Sequence, residues 1–368
     1  MTFYKTKIGK ELHFLRNLCC YFAKFTITYI LIGLTMPVCA SNETQALELL
    51  QNSIGVNGPF TTELLSGGCS GSEVIKVNAP DESYVVRFWN MQWADYFPQD
   101  LACQLIASDA GYGPKVYFSD EVECITIMDY YFPEALPEIQ IRLQALVDLL
   151  KKIHAGPVVP KGIDRAVYLD LLLEELKETR FFDLEAIRTI KDTVFAATRP
   201  SASCVACHRD LHHGNLIYTE GCFLAIDYTW GAMDDPYADL ANIAIFNCET
   251  EEEEKLLLQL YLGYTPSAKE MARLSLMKLP AKIFYGLEFL GISNSSKINV
   301  QIFPQVASKA YMNFGRYGGT ASSPIHFLAY ACSLLSEVID YSGSEQYLRD
   351  LEEVSNCFDD SLAGILKN

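Results

Sequence analysis

The 368-residue sequence predicts an α+β protein of two lobes, a small β-rich one followed by a larger, mainly helical one. Three observations point there. From Ser53 to about Met128, short β-rich segments alternate with glycine turns around a single helical stretch. From Pro137 onward, apolar residues recur at helical spacing with few strand-like runs. The length exceeds what one hydrophobic core usually serves, so two packed lobes are expected. The boundaries fall at 41–130 and 131–368, with residues 1–40 as a separate leading segment.

That segment carries Lys5, Lys7, Lys10, Arg16 and Lys24, then an apolar run from Phe25 to Val38, then Val38-Cys39-Ala40. This is the order of a secretory signal, and the apolar run is shorter than the ~20 residues a bilayer crossing needs. Two readings remain: export or membrane anchoring through residues 1–40, or a translation start at Met36, which makes the cytoplasm the first expectation. Membrane contact is expected only if residues 1–40 are retained. A helix is expected around Thr44 to Gln51. Further helices are expected over Pro137 to Gly156, Tyr168 to Thr198, and from the acidic run Glu251 to Glu254 that follows Thr250, where negative charge suits a helix N-terminus. From Ala268 the chain reads as helical, with an irregular region around Ser293 to Gly319.

A net charge of −17 excludes nucleic acid as a partner, because phosphate backbones need clustered Lys and Arg. The twelve cysteines are scattered. Cys204 and Cys207 form the one close pair in the folded part, with no second pair to complete a zinc site.

The chemistry is concentrated in Cys207-His208-Arg209-Asp210-Leu211-His212-His213-Gly214-Asn215, followed by Ala225-Ile226-Asp227. Asp210 can accept a proton from a substrate hydroxyl. Asn215 and Asp227 offer the hard oxygen ligands that Mg2+ takes beside phosphate oxygens. Leu216-Ile217-Tyr218 and Cys222 to Ile226 read as two short strands around Thr219-Glu220-Gly221, so both metal ligands emerge at neighbouring strand ends. This is what phosphoryl transfer from magnesium ATP requires. Upstream, Gly67, Gly68 and Ser70 lie in a glycine-rich turn that suits phosphate binding, although any tight hairpin can carry such glycines. Arg87 is a lone basic residue in the strand Tyr84 to Phe88. Asp100 opens a helix, where it is either the partner of Arg87 or an N-terminal cap.

These motifs resemble the choline kinase and aminoglycoside phosphotransferase superfamily, with its HxDxxxxN loop, its hydrophobic-Ile-Asp strand, and a DPxxDLA segment matched by Asp235 to Ala241. The turn Gly111 to Tyr117 resembles the family's LGPKLY. The resemblance spans roughly Leu65 to Tyr264 and implies a protein-kinase-like fold. It also implies ATP and Mg2+ as cofactors and a small-molecule alcohol as acceptor, best guessed as choline or ethanolamine. Met128 and Tyr130 would form the hinge at the adenine, and Asp239 would brace the catalytic loop. Arginine at position 87, where many relatives use lysine, favours the choline and ethanolamine kinase branch.

In that branch a quaternary ammonium is held by aromatic faces. Trp230 stands where the family places a cage aromatic, and Phe284, Tyr285 and Phe289 can complete it, although aromatics at helical spacing more often pack as core. Thr229 departs from the family's glutamate. His208 is expected to pack under the loop and orient it through a backbone hydrogen bond, whereas His212 and His213 can line the site. The alternatives are an aminoglycoside, thiamine or homoserine kinase with the same core, and a pseudokinase that binds without turnover.

Overall fold

The computed structural model describes residues 40–65, 71–160, 162–178, 182–199, 204–294 and 324–355. The leading segment and the Gly67-Gly68-Ser70 turn lie outside them, and so does most of the irregular region expected around Ser293 to Gly319.

Helix α1 (Ala40–Ile54) precedes strands β1 (Thr61–Leu65), β2 (Glu73–Asn78) and β3 (Ser83–Phe88). A 3-10 turn (Met91–Tyr96) and α2 (Phe97–Asp109) lead to β4 (Val116–Asp120) and β5 (Ile125–Asp129). The strands form one five-stranded sheet of order β1-β2-β3-β5-β4, antiparallel throughout. Alternation sorts its side chains. Ile75, Val77, Val86 and Ile127 point to one face and pack against Ala46 and Leu50 of α1. The opposite face therefore carries Val74, Lys76, Val85, Arg87, Thr126 and Met128, with Val74 opposite Arg87 and Val85 opposite Met128.

α2 joins the lobes. Its first turn packs Phe97 and Leu101 against Trp89, while Cys103 and Ala107 belong to the core of the second lobe. A Cβ on Gly113 would lie 2.8 Å from Ala107 Cβ and 3.2 Å from the Ala225 carbonyl, so glycine lets the connecting turn sit directly on the catalytic hairpin.

The second lobe starts with α3 (Ile139–His154), α4 (Arg165–Glu175) and α5 (Leu184–Thr198). Where the sequence suggests unbroken helical periodicity from Tyr168 to Thr198, the chain makes two helices. Asp164 caps α4 by accepting from the Ala166 and Val167 amides, and Asp183 caps α5 in the same way at Glu185 and Ala186. A capping side chain inside the stretch favours a new N-terminus over continuation. β6 (Val205–Cys207), β7 (Leu216–Thr219), β8 (Cys222–Ala225) and β9 (Ala232–Asp234) follow, with β7 and β8 forming a hairpin turned by Glu220 at φ 50° and Gly221 at φ 76°. α6 (Pro236–Asn247), α7 (Glu251–Leu262), α8 (Ala268–Asn294), α9 (Pro324–Ser342) and α10 (Glu345–Ser355) complete the lobe. Thr250 caps α7, and its four glutamates fill the first turn as expected.

α8 and α9 cross closely at Gly286. A Cβ there would lie 2.6 Å from Leu335 Cδ2, below any real contact. Gly286→Ala should thus lower stability by about 1–3 kcal/mol despite alanine's better helix propensity, and adding Leu335→Ala should not cost its full separate amount. Urea denaturation of the two single variants and the double variant measures this coupling.

Candidate active site

β6 pairs with β9, placing Cys207 opposite Ala232, and delivers the chain into the catalytic loop. Arg209 follows with φ 65°, in the left-handed region that a β-carbon disfavours. The strain is held by Asp239 of α6, which is fully buried and accepts from the His208 amide at 2.9 Å and the Arg209 amide at 2.6 Å. His154 Nε2 lies 3.0 Å from the same carboxylate, and its Nδ1 is 2.8 Å from the Tyr261 hydroxyl. Burial alone would raise the Asp239 pKa, but the His154 hydrogen bond, the two histidines and the backbone amide together hold it below the ordinary value.

His154, Cys207 and Asp239 bring their ligand atoms within 4.8 Å of one another. The cluster is nevertheless spent on hydrogen bonds. The Cys207 thiol, pushed well above its usual pKa by burial, donates to the Asp234 and Asp235 carbonyls. Cys204 and Cys207 are both free thiols.

His208 is buried with its tautomer set by neighbours: Nε2 donates to the Ile226 carbonyl at 3.0 Å, and Nδ1 accepts from the Asp210 amide at 3.3 Å. Burial pulls its pKa down, so it is neutral and orients the loop. Arg209, 3 % exposed, donates to the Trp230 carbonyl at 2.7 Å, the Ile163 carbonyl at 2.9 Å and the Asp234 carboxylate at 3.0 Å. Sequence reasoning passed over this arginine.

Asp210 Oδ2 accepts from Asn215 Nδ2 at 3.0 Å, and Oδ1 accepts from the Tyr285 hydroxyl at 2.7 Å. Asn215 Nδ2 also donates to the Asp210 carbonyl at 2.9 Å. Its nitrogen braces the loop, so its amide oxygen is the atom left for a cation. The Ile226 amide donates to the Asn215 carbonyl at 3.0 Å, which ties the two proposed metal-ligand positions together.

Asp227 has φ 62°, the second left-handed residue of the site. Arg87 Nη2 donates to its Oδ2 at 3.1 Å, and the Thr229 hydroxyl donates to its Oδ1 at 2.6 Å. Burial would raise its pKa, but the guanidinium and hydroxyl hold it below the usual carboxylate range, ionised and ready to bind a cation. The donor set of Asn215 and Asp227, an amide oxygen and an ionised carboxylate, fits Mg2+.

Asp100 lies 3.8 Å from Arg87 and is 3 % exposed. It is not the cap of α2. Tyr96 occupies that position without a side-chain bond, and Asp100 sits deeper in the first turn, facing the second lobe. Arg87 thus lies between two acids, closer to Asp227. Burial raises the Asp100 pKa to about 7, opposed by Arg87 and assisted by Asp227. Met128 of β5 and Tyr130, just past the strand's end, lie on the Arg87 side of the sheet, where Lys76 Nζ sits 4.3 Å from the Tyr130 ring centroid.

The aromatic residues divide. Trp230, half-buried, meets the Phe284 ring edge-on at 5.2 Å and the Tyr168 ring at 4.5 Å, with Tyr96 at 6.2 Å. Phe284 and Tyr285 are brought to the catalytic loop. Phe289 is not: it stacks on Phe327 at 5.4 Å and packs against Tyr330, holding α8 to α9. His212 stands 3.8 Å from the Asp210 carboxylate, while His213 packs near Phe246. The sequence reading also missed Arg165, Tyr168 and Glu288. The signal for Glu288 was available, an acid set one turn beyond two aromatics in the otherwise apolar stretch Ile283 to Leu290.

A loop carrying an aspartate and an amide, with a second carboxylate beyond the hairpin tied to the sheet through one arginine, is the arrangement phosphotransfer calls for. The chain belongs to the phosphotransferase enzyme family, whose model matches residues 61–275. Its fold is similar to that of a choline/ethanolamine kinase family protein from Mesorhizobium loti, with TM-score 0.65 and 17% identity, covering 85% of this chain and 99% of that one. It is also similar to a choline kinase from Cryptosporidium parvum Iowa II, with TM-score 0.61 and 15% identity, covering 86% and 98%. A third is a spectinomycin phosphotransferase in complex with ADP and spectinomycin, with TM-score 0.54 and 17% identity, covering 79% and 98%. No curated protein matches the chain in sequence. Among the described residues, no helix is long and apolar enough to cross a membrane.

Asp100 makes stability depend on pH. Unfolded, it ionises near 3.8; folded, only near 7, so between these values the folded state holds the extra proton. Its contribution is then fully present at low pH and is lost as pH rises towards and past 7. Asp100→Asn should flatten the decline in unfolding free energy between about pH 4 and 7, on the order of a few kcal/mol at most, in urea titrations across that range.

Proposed function

We propose that this protein is an ATP- and Mg2+-dependent kinase that phosphorylates the hydroxyl of a small amine-bearing alcohol, the class of which choline and ethanolamine are the simplest members. The observation that carries the reading is Asp210 fixed between Asn215 and Tyr285, beside the oxygen donors Asn215 and Asp227. In the reaction the acceptor oxygen attacks the γ-phosphorus, the bond to the β–γ bridging oxygen breaks, ADP leaves, and the hydroxyl proton passes to Asp210. Asn215 and Asp227 would hold Mg2+, which supplies charge neutralisation on the phosphates.

Arg87 is placed to contact nucleotide phosphates from β3, anchored by Asp100 and Asp227. Met128 and Tyr130 would meet the adenine edge, as the family resemblance implies. Trp230 would offer an aromatic face to the acceptor's cation, while Phe284, which meets it edge-on, carries Arg165 over its own ring. Tyr285 instead orients the base, so its role differs from that of a cage residue.

The aminoglycoside kinase and pseudokinase readings make different demands. A pseudokinase has no need of an Asp210 held by two donors, and an aminoglycoside site does not require Trp230. Cytoplasmic action, where ATP is abundant, is part of the proposal.

Asp210→Asn should reduce ADP formation at least about a hundredfold while ATP affinity stays within a few-fold of wild type, read by a coupled ADP assay and by nucleotide titration. Unchanged turnover would remove Asp210 from its role. Trp230→Ala should raise KM for an amine-bearing acceptor roughly 3–30-fold with kcat less affected. An unchanged KM in a variant with wild-type Tm would favour a substrate without a cation at that wall.

A further inference from the structure

Glu288 lies four residues from Phe284 and three from Tyr285 on α8, so the three share one face of the helix. Tyr285 reaches Asp210, Phe284 meets Trp230, and Glu288 accepts the Tyr168 hydroxyl. Among the described residues no lysine or arginine comes within ion-pair distance of Glu288. Burial pushes the carboxyl up to about 7 and Asp210 adds to the rise, while the Tyr168 hydroxyl and Arg165 lower it, so an ammonium seated beside it would stabilise the charged form.

Arg165 opens α4 immediately after its Asp164 cap. One nitrogen donates to the Arg209 carbonyl at 2.6 Å, so the side chain is tied to the catalytic loop. Its guanidinium carbon lies 4.0 Å from the Phe284 centroid and 5.6 Å from that of Trp230. Nη1 is buried and has no hydrogen-bond partner among the described residues. A guanidinium N–H withdrawn from water without an acceptor is unfavourable, and a bound anion relieves it. The same cation covers the ring face that a quaternary ammonium would use, and two like charges in a partly dry site repel. One side of the acceptor site therefore calls for an anion and the other for a hydrogen-bonding cation. Thr229 leaves the loop without an acid for this purpose, and Glu288 brings one from the opposite wall.

We propose that Arg165 and Glu288 select a zwitterionic acceptor. It is a small hydroxyl-bearing amino acid whose carboxylate meets Arg165 and whose ammonium meets Glu288 while its hydroxyl faces Asp210. This rests on the kinase reading and narrows its substrate class. The transfer is the one already written: the amino acid's side-chain oxygen gains the γ-phosphoryl group, ADP leaves with the bridging oxygen's electron pair, and the proton goes to Asp210.

Calorimetric titration of the full chain, with ADP and Mg2+ present, against matched pairs tests the assignment. L-serine is compared with ethanolamine, L-homoserine with 3-aminopropan-1-ol, and choline is included. The carboxylated member of at least one pair should bind at least about tenfold tighter than its decarboxylated counterpart. Arg165→Lys, which keeps the charge but not the fork, should bring the two affinities together. Glu288→Gln, which keeps an acceptor for Tyr168, should weaken both members of the pair. Equal or tighter binding of the decarboxylated amines or choline, or loss of both members equally in Arg165→Lys, overturns the proposal, as does failure of every amino acid to bind. ADP formation on the same panel separates the two readings. Arg165-dependent selectivity in binding without Asp210-dependent turnover would sink the kinase reading and leave the acceptor assignment standing.

Discussion

The site depends on one buried carboxylate. Asp239 accepts two consecutive backbone amides, His208 and Arg209, at the point where the chain bends through a left-handed residue. A carboxylate in a water-free position is costly unless its lone pairs are filled, and here His154 and the two amides fill them. The bend has a cost of its own, about 1–3 kcal/mol for a non-glycine residue at positive φ. Each cost is met by the other: the strained loop supplies donors that the carboxylate needs, and the carboxylate holds a shape the loop would otherwise leave. Asp210 and Asn215 follow directly, so their positions inherit the precision of this pin.

Around it, the electrostatics are arranged in alternating layers. Arg209 answers Asp234 and a set of carbonyls, Arg87 sits between Asp100 and Asp227, and Arg165 lies against aromatic faces near Asp210. In a chain of net charge −17, these three arginines gather positive charge around Asp210 and Asp227. Asp227 is kept ionised by Arg87, whereas Asp100 is tuned upward by burial. Two carboxylates on the same guanidinium thus have different duties, one suited to a cation and one to holding the arginine and α2 in register with the sheet.

The mechanical link between the lobes is equally specific. α2 begins in the cluster around Trp89 and ends in the core beneath the β7–β8 hairpin. Gly113 permits the contact with Ala225, and the Ala225 amide donates to the Tyr112 carbonyl at 2.9 Å. Moving the sheet therefore moves the hairpin that leads into Asp227, which keeps Arg87 and Asp227 in register.

The sequence alone determined the order of the chemistry. Asp210, Asn215 and Asp227 are close in the chain, and short loops and a two-strand hairpin leave them few ways to be apart; the strand alternation of the first lobe is legible for the same local reason. It did not determine whether Asp100 caps its helix or faces Arg87, nor that the stretch from Tyr168 to Thr198 divides at Asp183. Those outcomes depend on which polar group finds a partner across the fold. Nor did it reveal that Phe289 packs against α9 while Phe284 and Tyr285 turn to the loop, or that Arg165 and Glu288 arrive beside Asp210 from helices far away in sequence. Helical spacing says which residues share a face, but only the packing of α4, α8 and the catalytic loop decides what that face meets, because burial and ion pairing act between segments that the sequence keeps apart.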